Sequence, residues 1–130
     1  VTDSVRILIA EDDYPLQGVL EEALLEAGFK PEILSSAEQA ATLLSSHIFD
    51  FRALVTDVNL DRMSGWDLAR RAREADPAFP VIYMTGAAAD EWAAQGVPGS
   101  ILLQKPFVPA QLVTALSQLL NTTSPPAPQA

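Results

Sequence analysis

Val5-Arg-Ile-Leu-Ile-Ala-Glu-Asp-Asp13 is a short apolar run that stops on three consecutive carboxylates. A run this short, with apolar residues on both alternating sets of positions, reads as a strand covered on both faces. The pattern returns along the chain. Ala53-Leu-Val-Thr-Asp57 ends in a carboxylate, Pro80-Val-Ile-Tyr-Met-Thr85 ends in a hydroxyl followed by Gly86, and Ile101-Leu-Leu-Gln104 is followed by Lys105-Pro106-Phe107. Pro31 to Leu34 is a weaker run and reads as an edge strand.

Helical patterns separate these strands. Leu16, Val19, Leu20, Ala23, Leu24 and Ala27 fall on one helix face, and Gly28 is placed to end that helix. Ser35 or Ser36 caps a second helix with Ala37, Ala40, Ala41 and Leu44 toward the core. Trp66, Leu68, Ala69, Ala72 and Ala75 mark a third, stopped before Pro77. Ala87 to Gln95, closed by Gly96, is expected as a fourth. Pro109 opens a fifth, with Leu112, Val113, Leu116, Leu119 and Leu120 on its apolar side. Five strands alternating with five helices predict an α/β domain: one parallel, doubly wound, five-stranded sheet with helices on both faces. Residues 1–121 form this domain. Residues 122–130, with Pro125, Pro126 and Pro128, are expected as a tail or linker stub.

Composition narrows the function. The chain has 130 residues, of which 48% are hydrophobic, enough for one buried core. Eight basic against 17 acidic residues give a net charge of −9, which repels nucleic-acid backbones and anionic membrane surfaces. With no cysteine there is no disulfide, thiolate zinc site or thiol nucleophile, and one histidine, His47, cannot build a multi-histidine metal site. No apolar run approaches the ~20 residues that span a bilayer, and Val1 to Arg6 does not begin a secretory signal. A cytoplasmic location is expected.

Open parallel sheets bind ligands outside the carboxyl ends of their strands. Those ends carry Glu11, Asp12 and Asp13 after the first strand, Asp57 on the third, Thr85 on the fourth and Lys105 after the fifth. One Asp after a strand is usually a turn or cap residue. Four such features on strands that a doubly wound order sets side by side point instead to a shared cleft. Clustered carboxylates repel, and a hard divalent cation such as Mg²⁺ relieves them. Lys105 and Thr85 add donors that can hold a phosphate-like anion against a carboxylate.

In order and spacing, Ile9-Ala-Glu-Asp-Asp13, Val55-Thr-Asp-Val-Asn-Leu-Asp-Arg-Met-Ser-Gly65, Met84-Thr-Gly86 and Gln104-Lys-Pro-Phe107 resemble the receiver domains of bacterial two-component response regulators, single-domain or attached to hybrid histidine kinases. The resemblance covers Val5 to Leu120. It implies a flavodoxin-like sheet of order 2-1-3-4-5 and a phosphorylatable signalling switch rather than a turnover enzyme. It makes Asp57 the phosphoacceptor, with Mg²⁺ held by Glu11, Asp12, Asp57 and the backbone carbonyl of Asn59, while Asp13 is an extra carboxylate. It also makes Thr85 the switch hydroxyl and Lys105 the phosphoryl-pairing cation. The implied partner is a histidine kinase or histidine phosphotransfer protein.

Two positions depart from the family's pattern. Asp61 stands where Pro is common, four after Asp57. Leu102 stands where an aromatic is common, three before Lys105. Tyr83 shares a strand face with Thr85 and offers either a substitute aromatic or simple packing. Without an aromatic at Leu102, switching is expected to concentrate after Thr85 and to carry Gly86 to Gln95, including Trp92. His47 lies away from the strand ends, Trp66 reads as packing, Trp92 as exposed and partner-facing, and Arg70, Arg71 and Arg73 as a solvated helix face. Two other readings stay open: a metal-dependent aspartyl-phosphate phosphohydrolase, and a degenerate receiver that only binds. The haloacid-dehalogenase-like enzymes carry a second Asp where this chain has Asn59.

Overall fold

The computed structural model describes residues 5–123. Its elements are β1 (Val5–Ala10), α1 (Tyr14–Glu26), β2 (Phe29–Leu34), α2 (Ala37–His47), β3 (Ala53–Asp57), α3 (Gly65–Ala75), β4 (Val81–Thr85), α4 (Trp92–Gln95), β5 (Ile101–Gln104) and α5 (Pro109–Thr123). Every strand pairing is parallel, and the order is β2-β1-β3-β4-β5 as expected. α5 continues through Thr123, two residues into the expected Pro-rich tail, and from residue 124 on that tail lies outside the described residues.

Period-two alternation divides the core into two layers. Ile7, Ile9, Val55, Ile82 and Met84 pack with Leu20, Leu24, Leu112 and Leu116 from α1 and α5. Leu8, Ala10, Leu54, Val81 and Tyr83 pack with Ala40, Leu44, Leu68 and Ala72 from α2 and α3. β1, β3 and β4 are therefore covered on both faces, which accounts for their unbroken apolar runs. Helix starts follow local chemistry. Pro15 lies in the first turn of α1, Ser36 Oγ accepts from the Gln39 N–H, and Ser64 Oγ accepts from the Asp67 N–H. Gly28, at φ +91°, takes the chain out of α1 in a conformation that Cβ-bearing residues disfavour.

Four expectations need correction. The fourth helix does not run from Ala87 to Gln95. A 3₁₀ turn, Ala89–Glu91, leads into the single turn of α4. Only Ala88 in that stretch is buried, so there is little apolar surface to stabilise a longer helix. β2 starts at Phe29, two residues before Pro31. Leu34 O accepts from Glu11 N–H, so positions 34, 32 and 30 face β1 and Pro31 faces the open edge, where its missing donor breaks no ladder bond. Val19 does not join the buried face of α1 but is 45% exposed. Arg73 is not merely solvated: its Nε donates to Phe79 O at 2.6 Å and ties α3 to the start of β4.

Gly65 sets how closely α3 approaches the end of β3. A Cβ there would lie 2.2 Å from the Asp57 carbonyl oxygen, a backbone atom that cannot step aside. Gly65→Ala is expected to destabilise the fold by about 2 kcal/mol in urea unfolding, as overpacked sites do. A change within experimental error would show that the helix start adapts freely.

Candidate functional site

β1, β3, β4 and β5 are consecutive neighbours in the sheet, so their carboxyl ends open into one cleft. Glu11 forms the floor and has no solvent exposure. Its N–H donates to Leu34 O at 3.0 Å, and its carbonyl accepts from Gln17 Nε2 at 2.5 Å. Its Oε2 accepts from the Asp13 N–H at 3.1 Å, and its Oε1 from Lys105 Nζ at 2.8 Å. Every hydrogen-bonding group of this residue is thus engaged, as a buried carboxylate requires.

Asp57 is 7% exposed at the end of β3. Its Oδ1 accepts from the Asn59 N–H at 3.2 Å, and its Oδ2 lies 3.4 Å from Lys105 Nζ. Asp12 is exposed at the rim, and one carboxylate oxygen from each of Glu11, Asp12 and Asp57 lies within 4.8 Å of the others. Asp13, also exposed, stands outside that group at the N-cap of α1. Lys105 is held in register by its N–H, which donates to Thr85 O at 2.8 Å, and the Lys105–Pro106 peptide bond is cis.

Burial pushes the Glu11 carboxyl above its usual range, and the Asp57 charge adds to this, although the hydrogen bonds from Lys105 and Asp13 pull the other way. Burial alone would lower the Lys105 ammonium. The Glu11 hydrogen bond and the Asp57 charge outweigh it and leave Lys105 raised. Three carboxylates thus face one ammonium, and the oxygen that each brings to their shared point suits a hard divalent cation.

Glu11, Asp12, Asp57 and Lys105, expected at neighbouring strand ends, lie together in the structure. Thr85 is fully buried beside them, with its hydroxyl occupied: Oγ1 accepts from the Ala88 N–H at 2.9 Å and the Ala87 N–H at 3.3 Å. Asn59 is exposed and contributes its N–H to Asp57. Tyr83 is the register partner of Leu102, so an aromatic stands on β4 directly beside the position that lacks one on β5. Its ring packs against Trp66 at 4.6 Å between centroids, and its hydroxyl accepts from the Val97 N–H at 3.1 Å. His47 is exposed at the end of α2. Trp92 is 37% exposed, and its indole N–H donates to Ser100 Oγ at 3.0 Å. Sequence reasoning missed Gln17, whose polar side chain in the first turns of α1 was the available signal, and the tight fit at Gly65.

The profile of the response regulator receiver domain matches residues 7–117. The chain is 34% identical to the response regulator receiver protein CpdR of Brucella abortus, over 88% of this chain and 96% of that one. It is 31% identical to the transcriptional regulatory protein TctD of Salmonella typhimurium, covering 92% of this chain but only 54% of the relative. The crystal structure of a response regulator receiver protein from Sinorhizobium medicae superposes with a TM-score of 0.90 at 45% identity, over 94% of this chain and 98% of that one.

Replacing the ammonium tests the charge balance. The Glu11 carboxyl ionises near 4.5 when unfolded and higher when folded, so its contribution to stability falls as pH rises from about 4.5 through the folded value. Lys105→Met removes groups that hold that folded value down, widening the window. Lys105 itself stays protonated in both states from pH 5 to 8 and adds no slope there. The variant is expected to lose little stability near pH 5 and about 3 kcal/mol at pH 8, measured by urea unfolding. An equal loss at both pH values would show that Lys105 does not hold the Glu11 carboxyl down against its burial.

Proposed function

This chain belongs to the response regulator receiver domain family, and on that footing we propose that Asp57 accepts a phosphoryl group from a phosphohistidine on a histidine kinase or phosphotransfer protein. The observation that carries this reading is the setting of Asp57: a nearly buried carboxylate with one oxygen on a backbone N–H and the other beside an ammonium. The Asn59 N–H holds the carboxylate plane, so an Asp57 oxygen can attack phosphorus in line as the P–N bond breaks. The bonding pair leaves on the imidazole nitrogen, which takes up a proton, and an acyl phosphate remains on Asp57. Lys105 stands 3.4 Å from the reacting carboxylate and supplies positive charge to the phosphoryl oxygens. Glu11, Asp12, Asp57 and the Asn59 carbonyl are the groups that would hold Mg²⁺, which when bound neutralises charge on those same oxygens.

The phosphohydrolase alternative fits less well. The second carboxyl acid of such enzymes is replaced by Asn59, a carboxamide. A binding-only receiver would need Lys105 only to balance Glu11, whereas its Nζ also lies 3.4 Å from Asp57 Oδ2. Among the described residues no helix is long and apolar enough to cross a membrane.

Switching follows from the Thr85 hydroxyl. If it turns toward the new phosphoryl group, the Ala87 and Ala88 N–H groups lose their acceptor and the turn after β4 is released. The stretch beyond it is fastened separately. Arg70 donates to the Gln95 carbonyl and side chain, Trp92 to Ser100, and Val97 to Tyr83. The moving segment therefore shortens from the Gly86–Gln95 of the sequence reading to about Gly86–Glu91, and Tyr83 serves as an anchor.

Acetyl phosphate or a cognate phosphohistidine donor is expected to label Asp57 in Mg²⁺ but not in EDTA, read by intact-protein mass spectrometry with Asp57→Asn as control. Equal labelling of the variant would move the acceptor elsewhere. Beryllofluoride with Mg²⁺ is expected to shift the Ala87 and Ala88 amide resonances far more than that of Val97. A comparable shift at Val97 would mean that the Tyr83 anchor moves too.

A further inference from the structure

We infer that Gln17 is a positioning residue that fixes the angle between the Glu11 and Asp12 carboxylates and so tunes the cleft toward a small, geometrically demanding cation. This rests on the receiver reading above and goes beyond it, because Gln17 supplies no atom to the acidic group itself.

The carbonyl that accepts from Gln17 Nε2 at 2.5 Å belongs to the peptide joining Glu11 to Asp12. A peptide is planar, so fixing its oxygen also fixes the direction in which the Asp12 backbone departs. The second N–H of the same carboxamide donates to Ser35 Oγ at 3.1 Å, just past the end of β2. With both donors used, the carboxamide has one sensible orientation, since a flip would set oxygen against the Glu11 carbonyl. Gln17 is fastened at its own end as well: its backbone N–H donates to Asp13 O at 2.9 Å. Residues 11–13 are thereby clamped between α1 and the β2–α2 connection, and the two acidic side chains leave the clamp from adjacent positions. Glu11 is already immobilised by Lys105 and the Asp13 N–H. Asp12 is exposed, so its placement depends most on the peptide plane.

Mg²⁺ requires near-ideal octahedral ligands close to 2 Å, whereas Ca²⁺ tolerates longer and irregular sets. A residue that only supports folding would, when lost, weaken both ions alike. One that sets ligand geometry would weaken the stricter ion more. Titration calorimetry of Mg²⁺ alone and Ca²⁺ alone, on the full chain and on Gln17→Met, separates these cases. Gln17→Met keeps the length and apolar stem but has no donor. Mg²⁺ affinity is expected to fall about tenfold, in the range seen when partners behind metal ligands are removed, and Ca²⁺ affinity to fall much less. Ser35→Ala should weaken Mg²⁺ binding in the parent chain but add nothing in the Gln17→Met background, because both act through one bridge.

An equal loss for both ions, no loss for either, or additive effects of the two substitutions would each overturn the inference while leaving the receiver reading intact. Failure of the unaltered chain to bind Mg²⁺ would overturn both. If Gln17→Met does not fold, as judged by circular dichroism, Gln17→Glu gives the same reading. It is isosteric but cannot donate when ionised, and its added negative charge would favour both ions. A reduced preference for Mg²⁺ over Ca²⁺ is still expected, and an unchanged preference would overturn the inference.

Discussion

The ammonium of Lys105 holds the site together. It lies 2.8 Å from a Glu11 carboxylate with no access to water and 3.4 Å from Asp57. Without that charge the cleft would hold a buried carboxylate next to a second one, and burial would drive at least one to take up a proton. In this structure Lys105 favours Glu11 over Asp57, so the cation that a phosphoryl group would recruit is stationed on its neighbour, within a short movement of the reacting oxygen. A phosphorylated Asp57 would present a stronger anion than Glu11 and draw the ammonium across.

The sheet makes that arrangement possible. Parallel pairing of β1, β3, β4 and β5 places all four carboxyl ends at one edge, and both layers of core hold the strands in register. Backbone hydrogen bonds then extend beyond the strands. The Lys105 N–H reaches Thr85 O, the Val58 N–H reaches Met84 O, and the Gly65 N–H reaches Val58 O. Each active side chain thus stands on a segment whose backbone is already paired, which is how a loop-borne site acquires rigidity. The turn after β4 is the exception. Two of its N–H groups depend on the Thr85 side chain, and low local stability of this kind is where switching segments arise.

Much of this was legible in the sequence because strand and site are encoded together: each functional residue ends an apolar run or follows it by a residue or two. β1, β3 and β5 fell on their expected residues, and β4 within one. What escaped was set by contacts between distant parts of the chain. Ala87 to Gln95 has helical composition, but its shortage of buried surface shows only once the fold exists. β2 reads from the sequence as an edge strand beginning at Pro31, and its start at Phe29 shows only in the pairing with β1. The resemblance made Lys105 a partner of the phosphoryl group, yet its present attachment to Glu11 depends on how two carboxylates compete in space. That Tyr83 shares a strand face with Thr85 is legible from the period-two pattern. That it lies opposite Leu102 follows from strand register, and its fixed hydroxyl follows from Val97, 14 residues away.

The most direct test of the account is a crystal structure of the chain with Mg²⁺ and beryllofluoride. The account predicts the beryllofluoride adduct on an Asp57 oxygen. It also predicts Lys105 Nζ hydrogen-bonded to a fluorine and no longer to Glu11, and the Thr85 hydroxyl turned away from the Ala88 N–H. An adduct on any other carboxylate, or Lys105 still seated on Glu11 beside an occupied Asp57, would contradict it.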